Sequence, residues 1–322
     1  MSRPRFAEML GILLILLTPM DTFPQGLKVT LLGTGNPFPI MDRFGPSTLV
    51  EAGREKLLID CGRGASQRLW QLGIPLSGVT ATFLTHLHSD HVVGIPDLWL
   101  TGWLPTLFGR RTEPFRVWGP TGTKKMMSYL EKAYQADIRI RVEDEKLPTR
   151  GASILAEDIS EGVVYQANGV KVTAFDVDHG IAIKPALGYR IDYGGRSVVI
   201  SGDTRFSENL IRFSRGADVV IHEVAQAREE LLRKSEAARR IIGHHTSPEE
   251  AGIVFARLAP RLAVYSHIVL LTTESGIAAP TISDLIALTR KTYAGRLEVG
   301  EDLMTIEVGD TVEVHRPGPN AR

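Results

Sequence analysis

The most informative segment of this chain is Thr85-His86-Leu87-His88-Ser89-Asp90-His91. It follows an apolar run from Val79 to Leu84, which is typical of a buried β-strand. A strand that ends in such a cluster places several ligating side chains at one edge of a sheet. Neutral imidazole and carboxylate are the ligands that suit zinc and related divalent metals. The stretch therefore predicts a metal site that contains His86, His88, Asp90 and His91.

Other strand-like runs also end in ligating side chains. The runs TAFDVDHG, VVISGDT and LAVYSH lead to His179, Asp203 and His267, and ADVVIHE leads to His222 and Glu223. Several strands that deliver such groups to one rim are typical of active sites in layered α/β proteins. For Asp203 an alternative stays open, in which its carboxylate caps a helix that begins near residue 206.

The motif His86-x-His88-x-Asp90-His91 resembles that of the metallo-β-lactamase superfamily of di-metal hydrolases. LLGTGNPFP upstream, with SGDT, HEV, HHTSPEEAG and YSH downstream, resembles the ribonuclease Z and arylsulfatase-like branch of that superfamily. The match runs from Lys28 to Leu303. The resemblance implies an α/β fold, a four-layer αβ/βα sandwich with metals at one edge.

The resemblance also implies how the ligands are shared between two divalent metal ions. One ion would take His86, His88 and His179, and the other Asp90, His91 and His267, with Asp203 bridging both. The ligands favour Zn²⁺, with Mn²⁺ or Fe²⁺ as alternatives. Two such ions would turn a bridging water into a hydroxide that attacks the substrate.

The resemblance assigns four further roles. Glu223 would orient His245, which would protonate the leaving oxygen, although the adjacent His244 keeps that choice open. Asp90 would serve in catalysis as well as in metal binding. Asp60, at the end of a strand, would accept a hydrogen bond from a ligand histidine.

Composition narrows the class of protein. The chain has 322 residues, 43% of them hydrophobic, which is ample for a core. Lysine plus arginine and aspartate plus glutamate both number 37, so the formal net charge of zero gives no global attraction to nucleic acid. The single cysteine, Cys61, excludes an internal disulfide. We interpret it as a small buried residue, with a nucleophile as the alternative.

Residues 1–26 differ from the rest. Arg3 and Arg5 precede the apolar run Met9–Leu17, a pattern that resembles a secretory signal and is too short for a comfortable membrane span. The alternatives are an N-terminal anchor, an N-terminal helix and a misassigned start of the chain. We expect a periplasmic or secreted protein, with the cytoplasm as the alternative, and one hydrolase domain over residues 27–322.

Local patterns add several expectations. Three short strands, VTLLGTG, TLVEAG and KLLID, predict an antiparallel start, with a tight turn at Asn36-Pro37 near the metal rim. Trp99 and Trp103 indicate either the wall of a substrate pocket or a core helix. We interpret His222 as structural and His315, in the polar C-terminal tail, as incidental.

The prediction of the substrate depends on the length of the segment between His179 and Asp203. Bacterial ribonuclease Z enzymes carry a long arm between the third histidine and the bridging aspartate, whereas only residues 180–202 lie between His179 and Asp203 here. We therefore expect a hydrolase of small phosphodiester, sulfate or related esters. Ribonuclease Z activity on tRNA 3′ ends is the alternative, with nucleic acid as the partner. From the resemblance alone we expect a homodimer.

Other classes of protein fit less well. A metal-binding scaffold would have lost a ligand, and a single-iron thiol dioxygenase would hold one iron per chain. A β-lactamase or lactonase is a further alternative, but the Glu223 and His245 pair favours the phosphodiesterase branch.

Overall fold

The computed structural model describes residues 26–273 and 276–318, so the signal predicted for residues 1–26 lies almost entirely outside the described residues. Within the described ranges, no helix is long and apolar enough to cross a membrane. The strands are β1 Leu27–Gly33, β2 Ser47–Ala52, β3 Glu55–Ile59, β4 Ala81–Phe83, β5 Phe115–Gly119, β6 Ile154–Asp158, β7 Gly162–Ala167, β8 Val170–Val177, β9 Ala186–Tyr193, β10 Arg196–Ile200, β11 Val219–Ala227, β12 Leu262–Leu271, β13 Leu297–Val299, β14 Thr305–Val308 and β15 Val312–His315.

The helices lie between these strands. They are α1 Ala65–Gln71, α2 Ser89–Val92, α3 Ile95–Trp103, α4 Thr123–Ala133, α5 Gln135–Glu143, α6 Thr149–Ala152, α7 Glu208–Ser214, α8 Glu229–Lys234, α9 Glu236–Ile242, α10 Pro248–Leu258 and α11 Ile282–Thr289, with a 3₁₀ turn at Leu76–Gly78. Helix α10 begins where its sequence predicts. The Ser247 hydroxyl accepts from the Glu250 amide, and the Glu250 carboxylate accepts from the Ser247 amide.

The strands form two sheets. One has the order β15-β14-β1-β2-β3-β4-β5-β6 and the other β13-β12-β11-β10-β9-β8-β7. The antiparallel start predicted for β1, β2 and β3 is confirmed. Strand β4 then runs parallel to β3, so their carboxyl ends lie at the same edge. Strand β11 is buried along most of its length, as expected for a central strand between parallel neighbours.

The main core lies between the two sheets. It includes Val29 and Phe83 from the first sheet and Tyr189, Ile221 and Val264 from the second. Helices α7, α10 and α11 cover the outer face of the second sheet, and α1, α3 and α4 that of the first. The predicted four-layer αβ/βα sandwich is confirmed.

Strands β9 and β10 form a short hairpin between His179 and Asp203. Its turn residues Gly194 and Gly195 have φ angles of 57° and 74°, which a glycine pair adopts without steric cost. The helix after this hairpin is capped by the Ser207 hydroxyl, which accepts from the amide of Leu210. The alternative that Asp203 serves as the helix cap is therefore wrong.

The tryptophan-rich segment forms the core helix α3, and the pocket-wall alternative is wrong for its two tryptophans. Trp99 and Trp103 are buried, and their indole N–H groups donate to the carbonyls of Ala152 and Pro148 at 2.9 and 3.0 Å. Large apolar side chains with satisfied polar atoms are favourable in a core. The two rings therefore stabilise the packing of α3 against α6 and the residue that precedes it.

Candidate metal centre

The predicted ligands meet at one edge of the sandwich. The segment after β4 carries His86, His88, Asp90 and His91, while His179 follows β8, Asp203 follows β10, and His267 lies within β12. Because the strands run toward this edge from both sheets, residues far apart in sequence converge between the layers. All seven predicted ligands belong to clusters whose ligating atoms lie within 4.8 Å of one another.

The first cluster contains three histidines. His88 Nδ1 lies 2.9 Å from His86 Nε2 and 3.4 Å from His179 Nε2. Asp203 Oδ2 lies 3.9 Å from His86 Nε2 and 3.7 Å from His179 Nε2. The cluster thus offers three ring nitrogens and one carboxylate oxygen to a common point.

The second cluster contains two histidines and an aspartate. Asp90 Oδ2 lies 3.6 Å from His91 Nε2 and 3.4 Å from His267 Nε2. Asp203 Oδ2 lies 3.4 Å from the same atom of His91 and 3.3 Å from that of His267. One carboxylate oxygen of Asp203 therefore lies beside both clusters.

These side chains fit a pair of divalent metal ions on two observations. The distances between ligating atoms lie on both sides of about 3.4 Å. This is the distance between two ligand atoms in a tetrahedral site whose metal–nitrogen bonds measure about 2.1 Å. Within the described residues, buried Asp203 Oδ1 and His91 Nε2 also have no hydrogen-bond partner. Leaving such atoms unpaired is costly, and metal coordination would satisfy them.

Asp60 and Thr85 orient two of the histidines. Asp60 Oδ2 lies 2.7 Å from His91 Nδ1 and accepts from the Thr85 hydroxyl at 2.8 Å. The hydroxyl has only one hydrogen to donate, so it accepts from His86 Nδ1 at 3.0 Å. Both rings consequently present Nε2 to the clusters. The predicted role of Asp60 is confirmed, whereas the Thr85 relay was not predicted from the sequence.

His179 is oriented by a backbone group. Its Nδ1 lies 2.9 Å from the carbonyl oxygen of His244, which can only accept, so Nδ1 carries the hydrogen. His179 Nε2 is therefore free to act as a ligand. His244 thus orients a ligand through its main-chain carbonyl, a role that its side-chain type does not indicate.

A β-bulge aims His267 inward. The pairing of β11 with β12 shifts between His222 and Val224, so that Glu223 lies opposite both Ser266 and His267. His267 has a φ of 44°, in the left-handed region that non-glycine residues seldom adopt. Bulges of this kind commonly re-aim a side chain beside an active site.

His245, and not His244, is paired with Glu223. His245 Nδ1 lies 3.2 Å from Glu223 Oε2, and the ring stacks on that of His267 with 5.6 Å between centroids. Glu223 is buried, and its Oε1 accepts from the amides of Thr204 and Thr246 at 3.2 and 2.9 Å. These bonds fix the carboxylate against the His245 ring.

Burial and charge set the protonation of these groups. Burial alone would lower the pKa of His245, but the Glu223 carboxylate outweighs it and raises the pKa to about 9. Burial holds the pKa of His86 well below its ordinary value and lowers the pKa of His179 to about 4. Burial acts to raise the pKa of Asp203, yet the His267 and His91 rings hold it well below the usual range. The histidines of the first cluster are therefore neutral, and neutral imidazole is the form that binds metal.

The remaining candidates lie away from the ligating atoms. His222 is buried against Phe255, with Nδ1 beside the Glu223 carbonyl, as expected for a structural residue. His315 is exposed, but it lies on β15 and not in an irregular tail. Cys61 is buried, which raises the pKa of its thiol and excludes it as a ready nucleophile.

A cavity of about 320 Å³ opens onto the centre. One side of the cavity is lined by metal ligands and by His244 and His245, and the other side is apolar. The sequence did not predict the apolar side, apart from the turn near the metal rim. The apolar side consists of Pro37, Phe38, Ile241, Val269 and Leu271.

Comparisons with known proteins agree with this geometry. The sequence model of a family described as anti-Pycsar protein Apyc1 matches residues 27–233. Ribonuclease Z of Mycobacterium marinum is 34% identical over 284 residues, which cover 88% of this chain and 99% of that relative.

Two solved structures share the fold. The metallo-β-lactamase fold protein YhfI from Bacillus subtilis superposes with a TM-score of 0.65 at 19% identity, covering 88% of this chain and 99% of that one. The short form of human tRNase Z gives a TM-score of 0.64 at 20% identity with the same coverage. Together with the bridged His/Asp clusters, these matches show that the chain belongs to the Apyc1 family and to the ribonuclease Z branch of the metallo-β-lactamase superfamily, as a metal-dependent hydrolase of phosphoester bonds.

Proposed function

We propose that the protein is a ribonuclease Z-type endoribonuclease that cleaves a phosphodiester bond in tRNA precursors with two zinc ions. The main support is the position of Asp203 Oδ2, which lies 3.3 to 3.9 Å from ring nitrogens of both histidine clusters. Such a shared carboxylate is the arrangement expected of a two-metal phosphodiesterase.

In this proposal each cluster holds one ion. His86, His88 and His179 would hold the first, Asp90, His91 and His267 the second, and Asp203 both. When bound, two divalent ions supply a nucleophilic water at neutral pH and neutralise negative charge on the phosphate. Nitrogen and oxygen ligands without thiolate favour zinc, and manganese or iron would be the alternatives to test.

His245 would protonate the leaving oxygen. Its Nδ1 hydrogen bond to Glu223 and its raised pKa of about 9 keep the ring protonated at neutral pH. A protonated imidazole beside the scissile bond acts as a general acid, and the proton would leave from Nε2. Glu223 would position the ring and stabilise its charge. Asp90 would act through the second metal ion.

The short hairpin between His179 and Asp203 does not argue against an RNA substrate. The M. marinum relative carries the name ribonuclease Z and is matched over 99% of its length by 284 residues of this chain. A protein that is named ribonuclease Z can therefore have about the length of the matched part of this chain, without a long additional segment. This weighs against the expectation, drawn from the missing arm, that tRNA processing is doubtful.

Cleavage of a tRNA precursor tests the proposal. The full chain, loaded with zinc, should release a 3′ trailer from a 3′-extended precursor and leave the same RNA uncut after chelation. His267→Ala should abolish this cleavage, whereas His315→Ala, at an exposed histidine, should preserve it. An intact precursor after incubation with zinc-, manganese- and iron-loaded protein would reject the proposal.

A second candidate is hydrolysis of a small phosphodiester outside the cytoplasm. The observation that favours it is the apolar run Met9–Leu17 after Arg3 and Arg5, together with the zero formal net charge. A periplasmic or secreted enzyme would not meet tRNA precursors. Fractionation of cells that express the full chain distinguishes the candidates, since export would exclude the tRNA substrate.

A further inference from the structure

The cavity beside the metal centre has two chemically different sides. One side is formed by ligands and by His244 and His245, and the other by Pro37, Phe38, Ile241, Val269 and Leu271. Among the described residues that line this cavity there is neither lysine nor arginine, so they offer no positive charge to a second phosphate group. A substrate phosphate at the ligands would place its attached group against this apolar side.

The size of the cavity limits that group. Pockets for small molecules begin at roughly 300 Å³, and this cavity measures about 320 Å³. That space accommodates one nucleotide-sized unit and is too small to enclose a base-paired duplex. A nucleotide that reaches the centre must therefore be unstacked from its neighbours, which leaves the faces of its base free to contact protein side chains.

Phe38 is held at the mouth of the cavity by Asn36. The Asn36 amide donates to the carbonyl of Ile268 on β12 at 2.7 Å, and its side-chain oxygen accepts from the Phe38 amide at 3.0 Å. The carbonyl of Thr34 accepts from the Ile268 amide at 3.0 Å. These bonds tie the loop to the strand residue that follows His267, so Phe38 has a fixed position relative to the centre.

The ring of Phe38 remains available to a ligand. Phe38 is 49% exposed, and Ile241, which lines the same cavity, is 37% exposed. A half-exposed aromatic ring on a tethered backbone, beside an apolar wall, is suited to stacking against a planar group. Every nucleobase has such a face, so stacking of this kind tolerates any sequence.

We propose that this apolar side, formed by Pro37, Phe38, Ile241, Val269 and Leu271, is a nucleobase subsite in which Phe38 stacks on the base attached to the cleaved phosphate. The inference rests on the proposed phosphodiesterase function and deepens it. It makes Phe38 the residue that favours nucleotides over phosphoesters without a base, and Asn36 a residue that positions Phe38.

Binding measurements test the subsite without requiring turnover. Calorimetric titration of the zinc-loaded full chain with adenosine 3′-monophosphate, adenosine 5′-monophosphate and inorganic phosphate compares ligands with and without a base. At least one nucleotide should bind about tenfold more tightly than phosphate, which corresponds to one base–aromatic stack. Phe38→Ala should remove this difference and leave the dissociation constant for phosphate unchanged. Phe38→Trp should retain it.

The matched control is Leu107→Ala, which removes an exposed apolar side chain outside the cavity and should retain the preference for nucleotide. Equal affinity of the wild-type chain for phosphate and both nucleotides would overturn the subsite. An equal loss of phosphate and nucleotide binding in Phe38→Ala would also overturn it, because Phe38 would then shape the centre itself.

Failure of the subsite and failure of the proposed function are distinguishable. Cleavage of the tRNA precursor by a protein with no preference for nucleotide over phosphate would reject the subsite alone. A preference that Phe38→Ala abolishes, in a protein that leaves the precursor intact, would support the subsite and reject the tRNA substrate.

Discussion

Asp60 Oδ2 lies 2.7 Å from His91 Nδ1, and this hydrogen bond determines which nitrogen of His91 faces Asp203. Asp60 has a φ of 59°, in the left-handed region, directly after strand β3. Its other oxygen accepts from the Thr85 amide at 2.8 Å. One buried carboxylate thus links the end of β3 to the histidine-rich segment after β4.

Asp60→Asn should weaken metal binding without removing a ligand. The carboxamide would replace one acceptor oxygen by an NH₂ group, so the Thr85 hydroxyl and the His91 ring would lose a common acceptor. Loss of such an orienting partner typically lowers metal affinity about 10–100-fold. Competition with a chromogenic chelator measures the effect, with Asp97→Asn, at an exposed carboxylate on α3, as the control. Unchanged affinity would contradict the orienting role.

Asp203→Asn should lower both bound metal and turnover. The substitution keeps the size of the side chain but removes the negative charge that lies beside both clusters. We expect phosphodiester hydrolysis to fall below detection, and elemental analysis to find less metal than in the wild-type chain. Circular dichroism checks that the variant is folded. Full activity in a folded variant would refute the shared-ligand role.

His245→Ala should slow turnover and leave metal content unchanged. Loss of a general acid typically costs about 10²–10⁴-fold in rate when the leaving group is an alkoxide. A nitrophenolate departs without a proton, so an aryl phosphodiester should be affected far less than RNA. His244→Ala should cost less on RNA than His245→Ala, because its ring is not paired with Glu223. Loss of metal from His245→Ala would instead make this histidine a ligand.

Cys61 should be inert in the folded protein. Its side chain is buried, and burial raises the pKa of the thiol, so little thiolate forms at neutral pH. Labelling with a thiol reagent should be undetectable in the native chain and complete in denaturant, and Cys61→Ser should retain activity. Rapid labelling of the native protein accompanied by inactivation would support a nucleophile.

The ligands could be predicted from the sequence because the motifs that contain them resemble those of the superfamily, and because several of them follow apolar runs. His179 and Asp203 come directly after apolar runs, and strands that reach one sheet edge bring such residues together. The start of α10 was also predictable, since Ser247 and Glu250 form a capping box within one turn.

What the sequence did not predict depends on contacts between distant segments. The His244 carbonyl orients His179 across 65 residues, and the Asn36 side chain reaches Ile268 across 232. The bulge that aims His267 inward arises from the pairing of β11 with β12. Apolar periodicity likewise indicated burial of Trp99 without showing whether its face meets a core or a pocket.

The metal content of the full chain tests whether Asp203 is shared by two metal sites. We expect elemental analysis of the zinc-reconstituted protein to find two ions per chain, and we expect titration of metal into the chelated protein to restore phosphodiester hydrolysis fully only when both sites are filled. One ion per chain at full activity would contradict a centre bridged by Asp203.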